Sequence, residues 1–196
     1  MAQKPNIDSL KALLQDELEM AEYNKLLSRY MDLDTTLLPE DFHFLYYGYV
    51  AHPNYAPNRK IEEEDEFVRL VNEFAYEEAA KLGSILFAYD PFNIDLIFGM
   101  VISSEGEAQV GWTFLYRKVC EAIFESGNGE TDETAWVVIS VQNEYSFLEA
   151  LGLNAVSLEE IDERMDKFTL SYPNDFGLME VYFDHSEAYF HFRDRK

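Results

Sequence analysis

The sequence contains little cysteine, little positive charge and no long apolar run. Cys120 is the one cysteine among 196 residues, so no intramolecular disulfide forms, and this favours a reducing compartment. It lies in a helical apolar pattern, which predicts a buried, inert thiol rather than a nucleophile. No stretch approaches the roughly 20 apolar residues that span a bilayer, and the first residues lack the apolar core of a signal sequence. We therefore expect a soluble, cytoplasmic protein that does not bind membranes.

Positive charge is scarce because 15 Lys and Arg residues stand against 38 Asp and Glu residues, for a net charge of −23. This charge repels phosphate backbones and anionic lipids at long range, so we expect no nucleic-acid partner. It suits a basic protein partner, although a well-solvated acidic surface is the simpler explanation. The 47% hydrophobic and 15% aromatic content argues against disorder, which requires low hydrophobicity as well as high charge.

The common motifs of catalytic and metal sites are also missing. The sequence has no Gly-rich phosphate loop, no Gly-x-Ser-x-Gly motif and no histidine pair at i, i+4 spacing. Its four histidines are His43, His52, His185 and His191. His185 and His191 would approach each other across a predicted hairpin, with Asp184 and Asp194 near them in sequence, but surface or structural roles are favoured. We therefore predict no catalytic residue, no metal and no cofactor.

Apolar residues recur at helical spacing through the first part of the chain. Phe67, Leu70, Val71 and Phe74 follow the i, i+3, i+4, i+7 pattern of an amphipathic helix. Pro39 suits the first turn of a helix that runs to Val50 and is aromatic on more than one face, which is typical of a central helix. The predicted helical core comprises Phe42, Tyr46, Phe67, Phe74, Leu86, Phe98 and Tyr116.

From Glu130 onward the pattern changes to short runs rich in β-branched and aromatic residues. The run from Trp136 to Ile139 predicts a buried central strand. Alternating apolar residues in 181–183 and 188–192 predict a hairpin whose turn is 184–187, and Phe190 is expected to pack against the helices. Ser157 and Glu160 have the spacing of a capping box, which predicts a short helix.

These patterns predict an α+β fold. We expect an N-terminal antiparallel helical array packed on a small, mainly antiparallel C-terminal sheet. The array and the sheet would form a single compact domain over residues 1–196, with a helical part over 1–128 and an α+β part with the sheet over 129–196.

One segment of the helical part has the pattern of successive helical hairpins. Residues 75–125 are predicted as three helices, the first two joined by Asp90-Pro91-Phe92-Asn93 and the last two by a short Gly-containing turn. This segment resembles a tetratricopeptide repeat. Stable arrays usually need about three repeats, so this array would be degenerate, and unrelated antiparallel helices with a proline stop explain the pattern nearly as well. The resemblance implies a scaffold with a concave protein-binding face.

Several short sequence blocks, spread over most of the chain, together form a family pattern. The N-terminal blocks are Arg29-Tyr30, Asp34-Thr35-Thr36-Leu37, Asp41-Phe42, Leu45-Tyr46-Tyr47-Gly48-Tyr49 and Tyr55-Ala56-Pro57. The C-terminal blocks are Ala135 to Ser140, Glu144-Tyr145, Leu151-Gly152 and Val181-Tyr182-Phe183. These blocks resemble a bacterial family called domain of unknown function 4919, and the Leu-Tyr-Tyr-Gly-Tyr block is the most specific of them. The resemblance implies no activity that can be carried over.

One group of residues stands out as a candidate partner-binding surface because it combines aromatic rings with a guanidinium group. Tyrosine and arginine are enriched at binding hot spots, but the same density of rings also fits core packing with hydroxyl groups at the rim. The candidate residues are Tyr46, Tyr47, Tyr49, His52, Tyr55 and Arg59.

The charge and the partial repeat favour a non-enzymatic protein–protein interaction module that binds through its helical face and selects a basic partner. A more specific alternative is an immunity or inhibitor protein against a basic toxin such as a nuclease. A second alternative is a hydrolase with a carboxylate or His185-centred site. A third is a structural component of a larger assembly.

Overall fold

The computed structural model describes residues 4–57, 59 and 61–193, apart from the side chain of Phe192, and the chain divides into two units. One unit is Ile7–Val119, and the other combines the segment up to Asn6 with the segment from Cys120 onward. Across the described ranges, no helix has both the length and the apolar character to cross a bilayer.

The first unit is built from helices. They are α1 (Ile7–Leu13), α2 (Glu17–Met31), α3 (Pro39–Gly48), a 3-10 helix (Tyr49–Ala51), α4 (Glu63–Asn72), α5 (Tyr76–Tyr89), α6 (Ile94–Ser103) and α7 (Gly106–Phe124), whose last turn belongs to the second unit. Helices α4, α5 and α6 pack on one another, and α3 contacts α1 and α2. Pro39 occupies the first turn of α3, as predicted. The Asp41 carboxylate accepts a hydrogen bond of 2.8 Å from the Leu38 N–H and caps this turn.

Phe92, in the turn between α5 and α6, is the centre of an aromatic core. Its ring centroid lies 4.9 Å from that of Tyr30, 5.0 Å from that of Tyr49 and 5.7 Å from that of Tyr46. The Tyr30 hydroxyl donates to the carbonyl oxygen of Pro91 at 2.7 Å. The turn that suggested a tetratricopeptide repeat therefore packs into the core, through the ring of Phe92 and through the buried hydrogen bond to the Pro91 carbonyl.

The predicted helical core is confirmed for Phe42, Tyr46, Phe67 and Leu86, which are all buried. Two predictions are wrong, because the Phe74 side chain is 75% exposed and that of Phe98 is 47% exposed. Phe74 lies past the end of α4 with a φ of 62°, so it does not continue the apolar face of that helix. On α6, the neighbours of Phe98 are buried in its place. Tyr116 is half-buried.

The second unit contains a four-stranded sheet with the order β1-β4-β3-β2. Its strands are β1 (Trp136–Val137), β2 (Ala155–Asp162), β3 (Met165–Leu170) and β4 (Glu180–Asp184). The pairs β2–β3 and β3–β4 are antiparallel, and β1–β4 is parallel. The predicted α+β class and the mainly antiparallel sheet are confirmed. Three further helical elements are a 3-10 helix (Asp132–Thr134), α8 (Gln142–Ala150) and α9 (Ser186–Arg193).

Three strand and helix predictions in this unit are wrong. Strand β1 is buried, but it is two residues long and lies at one edge of the sheet instead of its centre. The segment with Ser157 and Glu160 is strand β2 and not a short helix. Residues 188–192 belong to α9 and not to a hairpin strand, because Asp184 accepts hydrogen bonds from the backbone N–H and the hydroxyl of Ser186 and so starts a helix. Phe190 is half-buried on that helix.

The core of this unit is an aromatic cluster on β1, β3, β4 and α8. The Trp136 ring centroid lies 5.2 Å from that of Phe147 and 5.6 Å from that of Phe183, and Phe168 lies 5.6 Å from Phe183. The segment that precedes α1 contributes an ion pair, in which Lys4 Nζ lies 2.7 Å from Asp184 Oδ2. The segment before α1 and the segment after α7 therefore both contribute to this unit.

Candidate functional site

The aromatic residues predicted as a partner-binding surface are mainly interior. Tyr46, Tyr47, Tyr49 and Tyr55 are all buried, so their rings contribute to the helical core, as the alternative interpretation of core packing described. Their role in binding a partner stays a prediction.

His52 and Arg59 lie nearer the surface of the same region. His52 is half-buried, and its ring stacks on that of Tyr49 with centroids 5.2 Å apart. Burial lowers the pKa of His52. Arg59 is exposed, and its positive charge acts to lower the pKa values of Asp90 and Tyr49. Burial raises the pKa of Asp90 to about 6, against the lowering effects of the Phe92 N–H and of Arg59.

The most specific block of the family resemblance has a packing explanation. The Tyr23 hydroxyl donates to the carbonyl oxygen of Leu45 at 2.8 Å. At Gly48, a Cβ would lie 2.8 Å from Tyr23 Cε2, closer than real Cβ atoms approach. Gly48 is therefore required for the contact between α2 and α3, and this block supports the fold instead of presenting an exposed site.

A second candidate site is a buried group of titratable side chains in the sheet unit: Glu144, Asp166 and His185. Glu144 lies in the first turn of α8. Asp166 lies on β3 in phase with Phe168 and Leu170, which face the core. His185 directly follows β4. Three separate elements thus bring one charged or polar side chain each to the same place.

The geometry of this group is close. His185 Nδ1 lies 2.7 Å from Glu144 Oε1 and 3.9 Å from Asp166 Oδ2. One nitrogen or oxygen ligand atom from each of the three residues lies within 4.8 Å of the other two. The backbone carbonyl of Glu163 lies near enough to the imidazole to raise its pKa.

The electrostatics of the group favour protons or cations. Burial raises the pKa of Glu144 to about 7. The hydrogen bond and the charge of His185 act against this rise, whereas the nearby Asp166 carboxyl group adds to it. Burial also raises the pKa of Asp166. For His185, burial lowers the pKa, but the two carboxylates outweigh it and the pKa is raised. A proton or a metal cation is therefore attracted to this position.

Sequence reasoning placed His185 in a different setting. It paired His185 with His191 across a hairpin, whereas His191 lies on α9 and the structure groups His185 with Glu144 and Asp166. Asp184 pairs with Lys4, and Asp194 lies outside the described residues. The sequence did contain one signal for this group. Asp166 alternates in phase with apolar residues of a strand, and a charged residue on the buried face of a strand indicates a site more clearly than an exposed one does.

A third feature is the outer strand of the sheet, β2. All eight of its residues are exposed, and it pairs with β3 alone among the strands of the described residues. Its acidic residues are Glu159, Glu160 and Asp162, and its larger apolar residues are Val156, Leu158 and Ile161. The strand thus presents both unpaired backbone groups and negative charge.

The comparisons with known proteins identify a family without an activity. The DUF4919 model, described as a domain of unknown function, matches residues 8–191. The chain belongs to this family, which confirms the resemblance found in its sequence blocks. No curated protein and no solved structure matches the chain.

Proposed function

We propose that this member of the DUF4919 family is a non-enzymatic protein–protein interaction module that binds an extended, basic segment of a partner protein along β2. The observation that carries the proposal is the exposure of all eight residues of β2 at the edge of the sheet. An exposed edge can accept a further strand, because its unpaired N–H and C=O groups form main-chain hydrogen bonds with an incoming peptide.

The length of the strand supports this mode of binding. A typical strand has about five or six residues, and β2 has eight. Main-chain pairing supplies affinity, and alternate side chains supply specificity. On β2, Leu158 and Glu160 lie opposite Phe168 and Asp166 on one face, while Glu159 lies opposite Lys167 on the other. Each face therefore offers an acidic residue to an incoming strand.

Charge selects the partner. Two acidic residues of β2 already have partners, since Lys167 Nζ lies 2.5 Å from Glu159 Oε2 and an Arg164 nitrogen lies 3.2 Å from Asp162 Oδ2. The whole chain nevertheless carries a charge of −23. A field of this sign attracts basic segments and repels acidic ones before contact is made.

The same features disfavour pairing between two copies of the chain. Acidic side chains and strand irregularities are common devices against edge-to-edge association. In β2 the register shifts between Ala155 and Ser157 and again between Glu160 and Asp162. A second copy of β2 would bring its own acidic residues against these, whereas a basic segment would replace repulsion with attraction. The proposed occupant is therefore a basic segment and not a second β2.

In this proposal the module works in the cytoplasm and needs neither nucleic acid nor a membrane. A more specific form of it is an inhibitor that blocks a basic toxin, which the charge of −23 favours. That form predicts a toxin gene beside the gene for this chain. The tetratricopeptide-like character of α5 and α6 stays a prediction with no part in the binding mode proposed.

The test uses a peptide of alternating Lys and Val residues that matches β2 in length. We expect the peptide to shift the backbone amide NMR signals of β2 and to slow the hydrogen exchange of its outward amides. A peptide with Glu in place of Lys is the charge control, and one with N-methyl groups at alternate positions is the main-chain control. The proposal is overturned if the Lys peptide leaves β2 unperturbed, or if N-methylation does not weaken its binding.

A further inference from the structure

We propose that Glu144, Asp166 and His185 bind one divalent metal cation of the Zn²⁺ class in the sheet unit, a site independent of the binding surface on β2. The three side chains supply two carboxylates and an imidazole, and this donor set suits Zn²⁺ and its transition-metal neighbours. Mg²⁺ and Ca²⁺ prefer ligand sets made of oxygen atoms. The sequence motifs alone predicted no metal, because the three ligands come from separate elements.

The first support is the convergence of the three ligand atoms within 4.8 Å of one another. The Nδ1–Oε1 distance of 2.7 Å between His185 and Glu144 is that of a hydrogen bond, so a proton lies where a metal would bind. Metal binding requires neutral imidazole and ionised carboxylates. The cation therefore displaces that proton, and the proton leaves to solvent.

The second support comes from buried oxygen atoms that lack donors. Glu144 is fully buried, and no group in the described part of the chain donates a hydrogen bond to its Oε2. The same is true of Oδ1 of Asp166, a residue with 3% of its surface exposed. A buried carboxylate oxygen without a partner is costly. A cation bound by the two carboxylates would neutralise their combined charge and so reduce the cost of burying them.

The third support is the setting of the histidine. The His185 Nδ1 atom faces both carboxylates, 2.7 Å from Glu144 Oε1 and 3.9 Å from Asp166 Oδ2. The imidazole is also the most exposed of the three side chains, with 10% of its surface exposed against 0% for Glu144 and 5% for Asp166. Three protein ligands leave a coordination position for water.

The competing explanation is a proton-sharing cluster that holds no metal. In that case Glu144 and Asp166 hold one proton between them, and the imidazolium of His185 balances the remaining charge. Both explanations account for the hydrogen bond of 2.7 Å. They differ in what happens when Zn²⁺ is offered to the folded protein.

The test begins with the full chain stripped of metal by a chelator and titrated with Zn²⁺ in excess Mg²⁺, which occupies surface carboxylates. We expect one Zn²⁺ per chain, an increase in melting temperature and the release of a proton on binding. Glu144→Gln and Asp166→Asn keep the side-chain shapes and should weaken binding at least a hundredfold, whereas His52→Gln in the helical unit should leave it unchanged. No high-affinity site, or equal affinity in all of these variants, would overturn the proposal.

A second measurement on the unmodified chain covers the case in which the variants do not fold. Histidine side-chain NMR should show that Zn²⁺ shifts the ring nitrogen signals of His185, with Nδ1 shifted most, and leaves those of His43 and His52 unchanged. Co²⁺ should give a visible absorption spectrum of low coordination number that Zn²⁺ abolishes. A shift at a different histidine, or none at His185, would rule out the proposed ligands in favour of the proton-sharing cluster.

Discussion

Phe67 on α4 occupies the space that a side chain on residue 99 of α6 would need. A Cβ atom built on Gly99 would lie 2.5 Å from Phe67 Cε1, and one built on Gly83 of α5 would lie 2.7 Å from Phe67 Cε2. Two glycines on neighbouring helices therefore leave room for one buried ring. Such a close fit is typical of interiors packed to crystal-like density.

We expect Gly99→Ala to destabilise the protein by about 1–3 kcal/mol, because overpacking a dense core outweighs the gain in helix propensity. Urea unfolding measures the effect. Phe67→Leu leaves space beside Gly99, so the double variant should lose less stability than the sum of the two single variants. Additive losses would show that Phe67 and Gly99 do not interact as described.

The buried tyrosine hydroxyl on α2 gives a second prediction. Tyr23→Phe removes one of the two donors to the Leu45 carbonyl, which keeps its bond from the Tyr49 N–H, and should cost about 0.5–1.5 kcal/mol, the net value of one hydrogen bond. Tyr145→Phe is the matched control, since Tyr145 is 46% exposed and its change should be close to neutral. Equal effects at Tyr23 and Tyr145, measured by thermal or urea unfolding, would contradict this account of the contact between α2 and α3.

Asp90 sets a pH dependence in the helical unit. Its pKa is raised by burial from 3.8 to about 6, so between these values the folded state holds a proton that the unfolded state has released. The stability that this proton contributes is present below the unfolded pKa and is lost as the pH rises through the folded pKa. The pKa of Glu64 is also raised, first by burial and then by the charge of Asp90. The charge of Arg59 acts in the opposite direction on the pKa of Asp90.

We therefore expect the melting temperature to fall between pH 4 and pH 6.5 less steeply in Asp90→Asn than in the unmodified chain. The asparagine can still accept a hydrogen bond from the Phe92 N–H. Asp34→Asn is a suitable comparison, because hydrogen bonds from Thr36 and Arg29 hold the pKa of Asp34 down at about 2 and its titration falls below this range. A slope that Asp90→Asn leaves unchanged would place the pH dependence elsewhere.

The acidic residues of β2 should control the rate of association with a basic peptide. Replacing Glu159, Glu160 and Asp162 by their amides should slow association by roughly tenfold at low salt and flatten its salt dependence. The control carries the same loss of charge on the helical unit, with amides at Glu73, Glu77 and Glu78, all exposed. If both triple variants respond alike in stopped-flow kinetics, the attraction is general and does not come from β2.

Cys120 should resist alkylation in the native protein. Burial and the nearby Glu121 raise the pKa of its thiol to about 12, so very little thiolate is present at neutral pH. Cys120 is half-buried, so we expect iodoacetamide to label it slowly in the native protein because thiolate is scarce, and rapidly and completely in urea. Rapid native labelling at neutral pH would show that the thiol is more accessible than its surroundings indicate.

Helical spacing predicted the first unit well because its helices are long enough to show their period and carry clear boundary signals such as Pro39. The same reasoning failed at Phe74, because the apolar pattern does not reveal that the backbone reaches a φ of 62° two residues past the end of α4. It also failed at β2, where Ser157 and Glu160 have helical capping spacing but pairing with β3 determines the structure. Tertiary pairing overrode a local signal in that segment.

The buried group in the sheet unit could not be assembled from the sequence for a different reason, although the position of Asp166 gave one signal. Glu144 and His185 are 41 positions apart, and nothing in a sequence with 38 acidic residues marks out the one that will be fully buried. The aromatic candidate residues were easy to find in the sequence but not to place in the fold. Their density is evident, but whether rings such as those of Tyr46 and Tyr47 point inward depends on the packing of α3 against neighbouring helices.

The ion pair between Lys4 and Asp184 makes the sheet unit discontinuous in sequence. Lys4 is synthesised long before Asp184, so this contact forms only after the chain between them has left the ribosome. Contacts of such wide separation are slow to form. A fragment that starts at Cys120 would contain every strand of the described residues but lack Lys4, so expression of the sheet unit requires both of its segments.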